Sequence, residues 1–139
     1  HGPGSGGQWR AVDGMRPLTV IRAEAPDAIA PDGSEVRILA VSDRGSMAEF
    51  TLPPGAISKA VGHHGVEELW CITHGEGRMW RRIGETEDIV TLRPGVSVAI
   101  PAGARFQFRN DGSAPLRCIG VTMPPWPGMD EAYETTGLW

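Results

Sequence analysis

The residues between Gly62 and Gly77 bring together the side chains of this sequence that are most able to do chemistry. Two adjacent histidines, His63 and His64, are followed by a carboxylate at Glu68. An imidazole and a carboxylate at this spacing can transfer protons, because histidine titrates near neutral pH and burial raises the pKa of a glutamate. The same groups are also ligands for Zn, Fe, Mn or Ni ions. This segment is therefore the candidate site, for acid/base chemistry or for a metal.

A β-strand through this segment would position Glu68. Side chains alternate between the two faces of a strand, so Glu68 shares a face with Trp70 and Ile72. A carboxylate beside two large apolar side chains is unusual on a solvated surface but suits a cavity wall. We therefore predict that this face lines an internal pocket. Of the two histidines, His64 is expected to face the pocket and His63 to point outward.

Short apolar runs, separated by Gly, Pro and Asp, recur along the whole chain. They show the alternation of strands and no sustained helical period, which indicates an antiparallel all-β sandwich or barrel. The predicted strands are Leu18–Arg22, Glu35–Val41, Ser46–Leu52, Glu67–Thr73, Gly77–Ile83, Asp88–Leu92, Val96–Ile100, Arg105–Arg109 and Leu116–Met123.

The overall composition limits the classes of function. The 139 residues suffice for one domain with a hydrophobic core. A net charge of −4, from 13 basic and 17 acidic residues, argues against a nucleic-acid partner, since phosphate binding needs a basic surface. No apolar run approaches the roughly eighteen residues that span a bilayer. We therefore expect a cytoplasmic protein that contacts neither nucleic acid nor membrane.

The spacing around Glu68 resembles the first motif of the cupin superfamily. That motif is Gly, five residues, His-x-His, three or four residues, Glu, six residues, Gly. Glu68 is followed by Gly75 at the interval of the family, and His64 or His63 precedes it at the interval of the second histidine. Gly55, in the run LPPG, would supply the leading glycine.

A later stretch resembles the second motif of the family, which is Gly, five residues, Pro-x-Gly, two residues, His, three residues, Asn. Gly95, Pro101, Gly103 and Asn110 match this motif, and Phe106 occupies the histidine position. The chain is therefore similar to cupins. The resemblance implies an all-β fold, a single-domain double-stranded β-helix or jelly-roll barrel.

The resemblance also implies a metal site of three histidines and one glutamate, which this chain matches only in part. The first histidine falls on Val61 or its neighbour and the last on Phe106, so nitrogen ligands are lost. We therefore expect no tightly bound metal. The alternative is a divalent Zn, Fe, Mn or Ni ion in a rearranged site of His63, His64 and Glu68, which would need a bulge in the strand.

Three functions are compatible with these residues. We favour a small-molecule enzyme of the isomerase, epimerase, cyclase or dehydratase type, in which Glu68 and His64 transfer protons without a metal. The second is a metal-dependent dioxygenase or hydrolase, and the third is a non-catalytic cupin that binds a metabolite. An aromatic lining suits an apolar or aromatic ligand. The predicted substrate-binding residues are Trp70, Ile72, Trp80, Phe106 and Phe108.

The chain is divided into three parts. Residues 1–5 are interpreted as the remnant of an expression tag, residues 6–123 as the barrel, and residues 124–139 as a tail rich in proline and aromatic side chains. Because an exposed tail rarely carries so many aromatic residues, it is expected to pack on the barrel or on a second subunit. The family resemblance implies a homodimer.

Overall fold

A computed structural model describes residues 17–139, so the tag remnant expected at residues 1–5 lies outside the described part. Within these residues the only helical element is a 3-10 turn at Met129–Glu131. The strands are β1 (Ala28–Ile29), β2 (Glu35–Val41), β3 (Ser46–Leu52), β4 (Val61–His63), β5 (Glu67–His74), β6 (Gly77–Ile83), β7 (Thr86–Leu92), β8 (Ser97–Ile100), β9 (Arg105–Asn110), β10 (Leu116–Met123) and β11 (Ala132–Glu134).

The strands form two antiparallel sheets that pack face to face. The order is β1-β2-β3-β10-β5-β8 in the six-stranded sheet and β11-β4-β9-β6-β7 in the five-stranded sheet. Trp70 of the first sheet contacts Phe106 and Phe108 of the second, with ring centroids 5.7 and 5.0 Å apart and the rings nearly perpendicular. Edge-to-face contacts of this kind stabilise a core beyond the burial of area. The predicted all-β barrel is confirmed.

The strand that carries the candidate site shows the predicted alternation. Along β5 the side chains of Glu68, Trp70 and Ile72 are buried, while those of Glu67 and Leu69 are exposed. The buried face packs toward the core between the sheets, and the exposed face looks outward. Because side chains alternate between the two faces of the strand, Glu68 lies in the interior of the barrel.

The predicted strand boundaries hold for most of the barrel and fail at its edges. Leu18–Arg22 is not a strand, and Leu18 and Ile21 are more than four-fifths exposed. The strands β1, β4 and β11 were not predicted. Each has only two or three residues, too few for an alternating pattern to be visible.

The segment from residue 124 to the end of the chain lies against the barrel. Its strand β11 pairs with β4 at the edge of the five-stranded sheet. The ring of Tyr133 lies 2.6 Å from where a side chain at Gly62 would begin, so a larger residue there would displace this ring. Further on, the backbone N–H groups of Leu138 and Trp139 donate to the side-chain oxygen of Gln107, at 3.0 and 2.9 Å.

Candidate functional site

A cavity of about 140 Å³ lies between the sheets at the end of the barrel that contains Glu68. A cavity of this order holds a molecule the size of a benzene ring. Its wall is mainly apolar, with a few polar groups that converge on the same space. The lining residues are Ala28, Ile29, Ala30, Pro31, Asp32, Val36, Ile38, Ser46, Met47, Ala48, Phe50, Val61, His63, Glu68, Trp70, Phe106, Thr122, Trp126 and Ala132.

Glu68 places a carboxyl group in this apolar wall. Only 4% of the residue is exposed, and the indole N–H of Trp70 donates to its Oε1 at 2.7 Å. Burial raises the pKa of Glu68 to about 7, although the hydrogen bond from Trp70 opposes the shift; the negative charge of Asp32 raises it further. Desolvation disfavours the ionised form of a carboxyl group. Near neutral pH both protonation states of Glu68 are therefore populated.

His63 is the imidazole that faces Glu68. It is 4% exposed and stands between the rings of Phe106 and Trp126, with centroids 5.4 and 5.2 Å away. Burial lowers the pKa of His63 to about 4, a shift that the carboxylate of Glu131 partly opposes. The ring is therefore neutral at pH 7.

The contact between these two groups is close without being a hydrogen bond. Nδ1 of His63 lies 3.2 Å from Oε2 of Glu68, within the distance of an ion pair. The orientation does not suit a hydrogen bond, and Nδ1 is buried without a hydrogen-bond partner among the described residues. His63 is therefore neutral near pH 7 while Glu68 is present in both its ionised and its protonated form, and Nδ1 of the imidazole is left available.

His64 occupies the opposite face of the chain, and the prediction that it faces the pocket is wrong. The side chain is exposed, and its ring lies 4.8 Å from the ring of Tyr133 in the C-terminal segment, tilted by 40°. Neighbouring residues of a strand point to opposite faces, so only one of the two histidines can enter the barrel. The pairing of β4 with β9, Val61 opposite Phe106, selects His63.

Asp32 is a second carboxyl group of the cavity, and the sequence interpretation missed it. It lies in the turn between β1 and β2, is 6% exposed, and accepts hydrogen bonds on Oδ1 from the backbone N–H and the hydroxyl of Ser34, at 2.9 and 2.7 Å. Burial raises the pKa of Asp32, against the effect of these hydrogen bonds. The sequence shows only Pro-Asp-Gly, a common turn. Its position in the cavity follows from how the turn packs.

The C-terminal segment completes the cavity wall. Trp126 and Ala132 line it, and the backbone N–H of Trp126 donates to the hydroxyl of Ser46 at 3.0 Å. Glu131 accepts hydrogen bonds from the backbone N–H groups of Gly65 and Val66 in the loop before β5. These bonds lower the pKa of Glu131 and fix the segment beside His63.

The predicted substrate-binding residues divide into two groups. Trp70 and Phe106 line the cavity. Ile72 and Phe108 lie in the adjoining core and do not line it, contrary to the prediction. Trp80 follows Met79, whose side chain is in that core, so alternation turns Trp80 to the other face of β6, where it is buried away from the cavity.

Comparison with known proteins agrees with this architecture. The family model described as "Cupin domain" matches residues 48–122, more than half of the chain. The chain belongs to the cupin family. The matched region contains β4, β5 and β9, and therefore His63, Glu68 and Phe106.

Individual relatives of this cupin are distant. The xanthan biosynthesis protein XanB of Xanthomonas campestris is 28% identical over 91 residues, which cover 66% of this chain but only 19% of XanB. The crystal structure of TT1209 from Thermus thermophilus is 28% identical, with a TM-score of 0.56, covering 71% of this chain and 90% of that one. An uncharacterised protein from Klebsiella pneumoniae with a double-stranded β-helix domain is 15% identical, with a TM-score of 0.63 and coverages of 75% and 85%.

The donors around Glu68 do not fit the metal site that the cupin motifs imply. Val61 and Phe106, at motif histidine positions, present hydrocarbon to the cavity. His63, His64 and Glu68 do not converge, since His64 points to the surface. Residues 17–139 contain no group of three or more His, Cys, Asp or Glu side chains that could hold a metal ion. Two protein donors hold a divalent ion poorly against water, so the chemistry below is derived from this chain's own residues.

None of the helical structure in residues 17–139 is long and apolar enough to cross a membrane.

Proposed function

We propose that this cupin is a small-molecule enzyme that transfers protons within its cavity, in a reaction of the isomerase, epimerase, cyclase or dehydratase type. One observation carries the proposal. The carboxyl group of Glu68 is buried in an apolar wall with a pKa of about 7, and the neutral imidazole of His63 lies 3.2 Å away. A general acid or base is most effective when its pKa is close to the working pH.

Glu68 is the group proposed to move the proton. As a carboxylate it removes a proton from a substrate C–H or O–H group. As a carboxylic acid it returns the proton to another atom of the same molecule, so the reaction needs no other reactant. The hydrogen bond from Trp70 holds Oε1, which leaves Oε2 on the side of His63. Rigid strands keep both groups in place between the two half-reactions.

His63 is proposed to position the substrate and to accept a hydrogen bond at Nδ1. An imidazole with a pKa near 4 stays uncharged through the reaction and offers a lone pair at its unpartnered nitrogen. A buried acceptor without a partner is costly, and a ligand that donates to it would relieve that cost. This role replaces the one predicted for His64.

Replacement of Glu68 by Gln tests the proposal, because glutamine keeps the shape and loses the titrating proton. The probe is deuterium incorporation from D₂O into a panel of small aromatic carbonyl and amine compounds, followed by mass spectrometry. We expect exchange to slow by about 10²–10⁴-fold in Glu68→Gln. The matched control is Glu67→Gln, one residue away on the exposed face of β5, which should exchange at the wild-type rate.

Two results would contradict an enzymatic role: equal rates in Glu68→Gln and wild type, or no exchange in any compound. The second candidate function is then a cupin that binds a metabolite without converting it. The predominantly apolar wall of the cavity favours this alternative, since apolar burial alone can retain a ligand. A carrier of an uncharged ligand would keep nearly the same affinity after Glu68→Gln.

The homodimer remains a prediction, which we propose involves the outer face of the six-stranded sheet. On that face Val121 of β10 pairs with Met47 on one side and Leu69 on the other. Met47 and Leu69 are 38% and 51% exposed. Light scattering of wild type and Leu69→Glu would test it: loss of the dimer in the variant supports this face, and a monomeric wild type contradicts it.

A further inference from the structure

The described lining of the cavity contains acidic side chains without a matching basic one. Asp32 and Glu68 are the acids among the nineteen described residues that line it, and none of those nineteen is Lys or Arg. Arg37 of β2 is also buried, but its guanidinium is bound to the backbone oxygens of Ala23 and Glu24 and to the carboxylate of Glu35. It therefore provides no counter-charge to the cavity.

Four aromatic rings accompany the two acids. Phe50, Trp70, Phe106 and Trp126 all line the cavity, and Phe50 and Trp70 lie 5.2 Å apart. The face of an aromatic ring carries partial negative charge and attracts a cation, most strongly where water is excluded. Carboxyl groups and ring faces thus favour the same sign of ligand charge.

We infer that the substrate of the proposed reaction is a small organic cation, an ammonium group on an apolar or aromatic body, bound with its head toward Asp32 and Glu68. The inference rests on the proposed function for the identity of the cavity and adds the chemical class of the molecule. A carboxylate or phosphate ligand would bring a further negative charge into a space with no basic residue. The electrostatic cost of an unpaired buried charge makes that class unfavourable.

His63 supplies an independent indication that a polar ligand group enters this space. His63 lines the same cavity. Its Nδ1 is buried and has no hydrogen-bond partner among the described residues. An ammonium group has three donors and no acceptor. Since Nδ1 of His63 lies 3.2 Å from Oε2 of Glu68, one ammonium group could donate to both atoms, which would give Nδ1 the partner that it lacks.

Three ligands with the same phenyl body separate the possibilities: benzylamine, benzyl alcohol and benzoate. Their affinities for the full chain are measured by titration calorimetry at pH 7. We expect benzylamine to bind at least about tenfold more tightly than benzyl alcohol, and benzoate to bind most weakly. Asp32→Asn and Glu68→Gln should each reduce the preference for the amine severalfold, while Glu67→Gln should leave it unchanged. Both cavity variants are isosteric, and circular dichroism verifies that each is folded.

The inference is overturned if benzoate binds as tightly as benzylamine, if the three ligands bind equally, or if benzylamine does not bind. It is also overturned if neither folded cavity variant changes the preference. These outcomes concern affinity and are separate from the exchange assay. Amine selectivity without deuterium exchange would support this inference and contradict the enzymatic proposal. Exchange of neutral compounds without amine selectivity would support the enzymatic proposal and contradict this inference.

Discussion

Two groups of acidic side chains in this cupin are held in opposite ways. On the outer surface, Asp111 receives hydrogen bonds from Arg78 at 2.7 Å and from Arg109 at 2.8 Å, and both guanidinium groups lie over the ring of Trp139. The arginines lower the pKa of Asp111. In the cavity, Glu68 has no arginine or lysine beside it, and its pKa is raised to about 7.

This difference in pairing separates acidic side chains that stabilise the fold from acidic side chains that are available to bind a ligand. Asp111 is paired with opposite charge and joins β6, β9 and the C-terminal residues on the surface. Glu68 and Asp32 are buried without such pairing, which costs free energy of folding that a bound molecule can recover. Carboxyl groups left in this condition inside a cavity are candidates for chemistry, whereas paired surface ones are part of the scaffold.

Glu68→Gln removes the buried acid from this comparison and should have the largest effect on the pH dependence of stability. The pKa of Glu68 is near 4.5 in the unfolded chain and about 7 in the folded one. The unfolded state therefore ionises first as pH rises, and folding stability falls between pH 4.5 and 7 by about 3 kcal/mol. In chemical denaturation across this range, the stability of Glu68→Gln should therefore rise by that amount relative to wild type and to Glu67→Gln as pH increases. Parallel pH profiles in all three would contradict the assignment.

His63→Gln should produce an effect of similar size and opposite sign. The pKa of His63 falls from 6.5 to about 4 on folding, so the unfolded chain takes up a proton first as pH falls. Stability from this residue is present above pH 6.5 and is lost toward pH 4, again by about 3 kcal/mol. The two effects nearly cancel in wild type between pH 4.5 and 6.5. The His63 variant should therefore become more stable on acidification relative to wild type; an unchanged profile counts against a buried neutral imidazole.

Asp111→Asn should have the smallest effect of the three. Exposed ion pairs contribute little, because water and salt screen them. We expect its thermal melt to overlay that of wild type within replicate scatter at 0.5 M salt, and its benzylamine affinity to be unchanged. A change in ligand affinity would show that the surface cluster is coupled to the cavity and would weaken the contrast.

Much of the barrel was predictable because it depends on local patterns. Alternation along β5 places Glu68 inward whatever its partners are, and the glycines and prolines of the two cupin motifs mark turns that few other residues tolerate. Strands of seven or eight residues carry enough of the alternation to be recognised. The predictions for β2, β3, β6 and β10 therefore agree with the structure at both ends.

The predictions that were wrong or missing concern features that depend on contacts between residues distant in the sequence. The choice between His63 and His64 is a matter of register, and a shift of one residue exchanges the two faces. That register is set by pairing of β4 with β9 and β11, and both β4 and β11 are too short to be detected in the sequence. Asp32 reaches the cavity because a turn folds over the barrel, and a turn motif alone does not contain that information.

The ionisation of Glu68 itself is the most direct test. The side-chain carboxyl carbon of Glu68, labelled with ¹³C and assigned by comparison with Glu68→Gln, can be followed by NMR from pH 3 to 9 in the ligand-free protein. A midpoint near 7 is the predicted result. A midpoint near 4.5, the value of an exposed glutamate, would mean that the carboxyl group is solvated and cannot serve as the proton carrier of this cavity.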